Sequence, residues 1–295
     1  MFTIRTDLAA ESHAFWLETA AETTALQGVR SEEETVGGCS VTRVEILDEE
    51  GAKALGKPRG TYLTLDYSSL RAGDSESLSR VAGGLAQLMG ELLPPEGTVL
   101  VAGLGNRHMT PDALGTLTLE SLLVTRHLGK ILPDLRPVAA IGAGVLGTTG
   151  IEAAEWIKGA VQRIQPSVVV LVDALAARSL DRLCTTVQLS DSGLVPGSGI
   201  GNRRCALNEE TLGARVISVG VPTVVDAATL ARDTVANCGG DVSQIQFPGK
   251  SRHPFVTPDS IDVQVRRSAQ LLACALNLAL QEGMALEDIL ALTAP

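Results

Sequence analysis

The spacing of apolar positions divides the chain into two textures. In the first third, Val41-Thr-Arg-Val-Glu-Ile-Leu and Thr61-Tyr-Leu-Thr-Leu-Asp-Tyr alternate apolar and polar residues, the period of two expected of half-exposed strands. Gly56-Lys-Pro-Arg-Gly60 between them is turn-rich. Leu78, Val81, Leu85, Leu88 and Leu92 then recur at helical spacing and predict a helix over 75–93, stopped by Pro94-Pro95. From Gly97 onward, unbroken apolar runs replace the alternation: Thr98-Val-Leu-Val-Ala-Gly, Pro137-Val-Ala-Ala-Ile, Ser167-Val-Val-Val-Leu-Val and Val216-Ile-Ser-Val-Gly-Val. Such runs predict strands buried on both faces. Helical stretches at 116–132, 150–164 and 226–235 lie between them, and 260–282 predicts a closing helix docked on the sheet. The order is that of an open α/β sheet covered on both faces.

Composition narrows the chemistry. Aromatic residues make up only 3% of the 295 residues, so the core must be aliphatic, and a stacking platform for single-stranded nucleic acid or exposed glycans is disfavoured. A net charge of −10 disfavours binding to a phosphate backbone. Five cysteines (Cys39, Cys184, Cys205, Cys238, Cys274) show no CxxC spacing, as expected of reduced thiols rather than a disulfide framework or zinc site. The opening residues lack the apolar run of a signal peptide. No apolar stretch reaches the ~18 residues of a membrane span, the longest candidate, 168–172, ending at Asp173. The expectation is a soluble, cytoplasmic protein.

Ligands in open α/β sheets collect at the carboxyl ends of the strands, so the segments that follow the strands are the candidate sites. Asp112 and Asp173 stand out there. They belong to different elements and meet only if two strand ends are neighbours. A carboxylate pair can activate water, one ionised member taking its proton and one protonated member donating to the substrate carbonyl or leaving nitrogen. The alternative roles are structural: Asp112 as a helix cap after Thr110-Pro111, and Asp173 ending a strand or pairing with Arg178. Gly142-x-Gly144-x-x-Gly147 fits dinucleotide-loop spacing but lacks a following acidic residue, and a backbone-hugging loop for a peptide reads it equally well. His13, His108, His127 and His253 are isolated, and only His108 lies near Asp112 in sequence. Gly197-Ser-Gly199 has no nucleophile-elbow context, and no cysteine is singled out as a nucleophile.

Several further segments occur together and in order: Gly103-Leu-Gly-Asn106, Thr110-Pro-Asp-Ala-Leu-Gly115, Val124-Thr-Arg-His-Leu, Gly147-x-x-Gly-Ile-Glu152, Asp173-Ala-Leu-Ala-Ala-Arg-Ser179, Gln188-Leu-Ser-Asp-Ser-Gly193, Pro196-Gly-Ser-Gly-Ile-Gly-Asn202, Glu210-Thr-Leu-Gly213 and Gly220-Val-Pro-Thr-Val-Val-Asp-Ala227. This set resembles the germination protease (spore protease) family of endospore-forming bacteria, most densely between Val99 and Ala228, with Val256-Thr-Pro258 and the closing helix matching near the end. The resemblance implies an atypical aspartic endopeptidase with Asp112 and Asp173 as its catalytic pair. It implies no cofactor. Its fold would be α/β, a three-layer α/β/α sandwich around a mostly parallel sheet, with additional N-terminal strands, as in hydrogenase-maturation peptidases. The implied substrates are the small acid-soluble proteins that coat spore DNA, without direct contact to nucleic acid or membrane. The implied setting is a homotetramer in the cytoplasm of the forespore and spore core.

Such enzymes are made as zymogens that remove a propeptide at a substrate-like site. Thr6-Asp-Leu-Ala-Ala-Glu11 fits that pattern and implies cleavage between Asp7 and Leu8. Residues 1–7 are then the propeptide and 8–295 a single peptidase domain, divided into an N-terminal β-containing part (8–97), a catalytic core (98–230) and a C-terminal extension (231–295). Asn106, Gly144, Arg178, Gly199, Asn202 and Arg203 are the candidate walls of the substrate cleft. Two departures stand out: Thr116 replaces the family's usual Pro, and 226–256 is shorter than in the Bacillus enzymes. Two rivals remain: a metal-assisted hydrolase with Asp112, Asp173 and His108 as ligands, and a non-catalytic protein that binds spore proteins.

Overall fold

The computed structural model describes residues 5–19, 26–68, 74–199, 204–242 and 254–293. Its centre is a sheet of β4 (Val99–Leu104), β5 (Val138–Gly144), β6 (Val168–Ala177) and β8 (Val216–Asp226), paired in parallel in the order β8-β6-β4-β5. β7 (Thr186–Ser190) adds antiparallel to β8 and leads out through β3 (Gly60–Asp66) and β2 (Cys39–Ile46) to the edge strand β1 (Val29–Val36). A two-residue strand, β9 (Phe255–Val256), pairs with the end of β8. The sheet as a whole is therefore mixed. Its parallel part coincides with the unbroken apolar runs, and the antiparallel extension carries the alternating ones, because only a sheet buried on both faces needs apolar residues at every position.

Alternate residues of the parallel strands serve opposite layers. Val99, Val101, Val170 and Val172 face α3 (Ser75–Leu92), α4 (Leu114–Leu119) and α9 (Ile261–Leu280), the last extended by α10 (Leu286–Thr293). Leu100, Ala102, Val169 and Leu171 face α6 (Ala153–Ile164) and α7 (Glu209–Leu212). α1 (Ala9–Thr19) and α2 (Glu49–Leu55) cover Val44, Ile46 and Tyr62 of the extension. Each fully buried aliphatic side chain here stabilises the fold by about 1.5–3 kcal/mol. Two further helices, α5 (Leu146–Thr149) and α8 (Ala227–Asn237), follow β5 and β8.

The predicted 75–93 and 260–282 helices form nearly as expected. The helix expected over 116–132 does not: α4 ends at Leu119, and a 3-10 turn at Arg126–Leu128 is the only other helical piece there. Thr116 and Thr118 turn their hydroxyls onto the carbonyls of Ala113 and Leu114, a weakening interaction in a helix. Asn277 of α9 then captures the chain, accepting from the Leu123 N–H at 2.8 Å and donating to the Ser121 carbonyl at 2.9 Å. β1 was not legible in the sequence. Its Val-Arg-Ser-Glu-Glu-Glu-Thr-Val is exposed almost throughout, and a charged edge of this kind discourages further strand addition.

Candidate active site

Asp112 and Asp173 are positioned by neighbouring strands, β4 and β6. After β4 the chain reverses at Gly105, whose φ of +91° is open only to glycine at low cost, and a Cβ there would lie 2.0 Å from the Asp112 carbonyl oxygen. The reversal aims the Asn106 N–H at Asp112, whose Oδ2 accepts it at 2.8 Å. A 3-10 turn over Thr110–Asp112 holds the carboxylate, and the Thr223 hydroxyl of β8 ties that turn down by donating to the Pro111 carbonyl at 2.7 Å. α4 starts at Leu114 with Ala113 in the N-cap position and no side-chain cap, so Asp112 is not its cap. Asp173 lies inside β6 opposite Gly220 of β8, only 7% exposed, with Oδ1 accepting the Ala174 N–H at 2.9 Å.

The two carboxyls are electrostatically unequal. Burial raises the pKa of Asp112, and the Asn106 N–H partly offsets the rise. Asp173 is pushed well above the ordinary carboxylate range, first by burial, then by the charge of Asp112, then by that of Asp7. Asp112 therefore ionises first and Asp173 holds its proton. A base and an acid within electrostatic reach of each other are what water-activated peptide hydrolysis requires.

The N-terminal segment occupies this same end of the sheet. The Asp7 N–H donates to the Ala176 carbonyl at 2.8 Å, and the Asp7 carboxylate accepts from the Ala176 N–H at 2.9 Å and the Ser198 hydroxyl at 2.7 Å. Leu8 is fully buried against Ala177, Leu183 and Val225. Glu11 accepts the backbone N–H groups of Arg178 at 2.6 Å and Ser179 at 3.0 Å, and the Thr6 hydroxyl as well. Lys57, its pKa lowered by burial despite the charges of Asp7 and Glu11, donates to the Thr6 carbonyl at 3.2 Å. Arg5 pairs with Asp226 at 3.7 Å. Replacing Glu11 by Ala strands two backbone donors and should cost about 1–3 kcal/mol, read as a lower thermal midpoint. It should also loosen the segment, so that its susceptibility to an added protease rises.

The other candidate residues divide. Asn106 contributes its backbone N–H to Asp112. Gly199 touches the N-terminal segment directly, since a Cβ there would lie 2.3 Å from Asp7 Oδ2. The side chain of Arg178 is not available as a cleft wall, nor is it paired with Asp173: it bonds Asp233 at 2.6 Å and Glu18 at 2.9 Å and lies over the Phe15 ring. Gly144 ends the edge strand β5, two strands from β6, against Thr148 and Thr149. Asn202, Arg203 and His253 lie outside the described residues. His108 is exposed, and among the described residues no three His, Cys, Asp or Glu side chains converge as a metal-binding set. Gln188, Ser198 and Lys57 were not picked out as site residues. Gln188 carried little signal of its own: β7 reads Thr-Val-Gln-Leu-Ser, and its amide is one of three alternating polar positions.

A family model described as germination protease matches residues 6–240. Germination proteases from Clostridium perfringens and Caldanaerobacter subterraneus are each 42% identical to this chain, over 98% of both chains and 95% of both chains respectively. That of Bacillus cytotoxicus is 45% identical over 86% of this chain and 72% of its own length. Among solved structures, a hydrogenase maturation protease from Thermococcus kodakarensis aligns with 17% identity and a TM-score of 0.36, covering 64% of this chain and 98% of its own. The family model and these germination proteases make the protein a peptidase. More particularly, the chain belongs to the germination protease family. No helix among the described residues is long and apolar enough to cross a membrane.

Proposed function

We propose that this chain is an endopeptidase made as a self-processing zymogen, which degrades the small acid-soluble DNA-protecting proteins of the spore during germination. Water is activated between Asp112 and Asp173. Ionised Asp112 takes a proton from water as its oxygen adds to the scissile carbonyl carbon, and Asp173 gives its proton to the leaving nitrogen as the C–N bond breaks. The pair ends with its protonation inverted, and transfer of one proton from Asp112 to Asp173 resets it. Residues 1–7 are the propeptide and 8–295 the peptidase domain, which works as a homotetramer in the spore core.

The observation that carries this reading is the placement of Thr6–Glu11. The one stretch that fits the substrate pattern is bound by its backbone and side chains at the strand ends holding the pair, with Asp7 near enough to raise the pKa of Asp173. N-terminal sequencing after activation is expected to give Leu-Ala-Ala-Glu, the chain beginning at Leu8. A start at any other residue refutes the assigned site. Incubation with a small acid-soluble protein should yield fragments cut after acidic residues in matching segments, and an intact substrate would refute the assigned activity.

A further inference from the structure

One polar side chain of the site has no role in the chemistry above. Gln188 of β7 is 7% exposed and sits between the core residues Val187 and Leu189. Its side chain leaves the sheet on the opposite face from those two, the face on which the N-terminal segment lies. There its Nε2 donates to the Asp7 carbonyl oxygen at 3.0 Å and its Oε1 accepts the Ala9 N–H at 2.7 Å. The amide orientation is determined by these partners, since a carbonyl can only accept and an N–H can only donate. The Asp7 carbonyl is the carbonyl of the Asp7–Leu8 bond. Gln188 therefore straddles that peptide bond, holding the oxygen on one side and the next N–H but one on the other.

Sheet register connects Gln188 to the carboxylate pair. Gly220 of β8 is the cross-strand partner of both Gln188 and Asp173. The three form one row across β7-β8-β6, so the side chains of Gln188 and Asp173 leave the same face about 10 Å apart at the backbone, two interstrand spacings. The residue between them is a glycine, over which the Leu175 side chain packs: a Cβ on Gly220 would lie 2.6 Å from Leu175 Cγ. The Asp7 carbonyl lies on the Gln188 amide, and the Asp7 carboxylate is near enough to Asp173 to raise its pKa.

We infer that Gln188 is a catalytic residue of this protease: its side-chain N–H polarises the scissile carbonyl and binds the oxyanion that forms when water adds. When water attacks, the carbonyl π pair moves onto the oxygen, and an N–H already aimed at it is the preorganised donor such a step needs. As the C–N bond breaks the pair returns to the carbonyl, and Gln188 gains or loses no proton. The same two bonds reach only main-chain atoms, so Gln188 serves substrates of any side chain and sets which peptide bond faces the pair. This inference rests on the Asp112–Asp173 reading and on cleavage at Asp7–Leu8.

The test uses the full chain. Gln188→Met keeps the volume and removes the donor, and Gln188→Asn withdraws it by one methylene. Thermal unfolding establishes which variants fold, Asn serving if Met does not. Each folded variant is assayed for self-cleavage and for cleavage in trans of a peptide carrying Thr-Asp-Leu-Ala-Ala-Glu. The expected result is a fall of about 10²–10³-fold in kcat with KM moving less than tenfold. A phosphinate analogue of the Asp–Leu bond, which mimics the tetrahedral intermediate, should lose affinity by a comparable factor, while the uncleaved peptide bound to the Asp173→Asn enzyme loses little. Self-cleavage within threefold of wild type overturns the proposal, and so does a rise in KM at unchanged kcat, which would make Gln188 a clamp for binding only. Asp112→Asn and Asp173→Asn run alongside. If they remain active, the carboxylate reading has failed; if they are inactive and the Gln188 variants are not, only this proposal has.

Discussion

Asp112→Asn and Asp173→Asn are each expected to lower self-cleavage and peptide cleavage by about 10²–10⁴-fold or more, because in the proposed mechanism each removes one half of a proton relay at nearly constant shape. The stronger discriminator is stability. In the folded chain burial and two neighbouring carboxylates raise the Asp173 pKa, so the native state holds a proton that the unfolded chain has already released. Between the ordinary carboxylate range near pH 4 and that raised value, stability must therefore fall as pH rises. Asn resembles the protonated carboxyl and never ionises. The Asp173→Asn protein should lose that pH-dependent decline and melt above wild type at neutral pH, while being inactive. Thermal unfolding scanned from pH 4 to pH 8 reads this directly, and a variant that melts lower than wild type at neutral pH would contradict the buried, proton-holding Asp173.

Gly105→Ala has the second large effect. A Cβ at Gly105 has nowhere to go: φ is +91° and the Asp112 carbonyl oxygen would lie 2.0 Å away, with Oδ1 at 2.9 Å. Left-handed backbone strain and overpacking together should cost about 2–5 kcal/mol. The obstructing atom is backbone, so relief must come from moving the 3-10 turn and with it the carboxylate. Activity should fall with stability, and it should stay low at temperatures where the variant is still folded. A folded Gly105→Ala enzyme with wild-type kcat would show that the placement of Asp112 tolerates displacement of its turn.

The relation between chain and site is uneven, for reasons visible in particular residues. The parallel strands were legible because burial on both faces requires unbroken apolar runs such as 168–172, and α3 and α9 because a 3.6-residue stripe is a strong signal over 18 and 20 residues. α4 was misjudged in length because Asn277, more than 150 residues away, takes the backbone groups a longer helix would have used. β1 was missed because an exposed edge strand has no apolar face to show. Arg178, legible as a cation at a strand end, is spent on Asp233, Glu18 and the face of Phe15, partners that only the folded chain brings together.

What the sequence determined by itself is the α/β layering, the two candidate aspartates and, through its ordered motifs, the family. Local periodicity and motif spacing are properties of contiguous residues, and they survive without a fold. What only the tertiary structure decided is the inequality of the two carboxyls and the presence of the chain's own substrate-like segment beside them. Both depend on distance and burial. Asp7 is 166 positions from Asp173 (173 − 7) and Gln188 is 181 from Asp7, yet Asp173 and Gln188 share one row through Gly220, with the Asp7 carboxylate close enough to raise the Asp173 pKa and the Asp7 carbonyl on the Gln188 amide. A strand register converts such separations into neighbouring side chains, and no pattern within the linear chain records it.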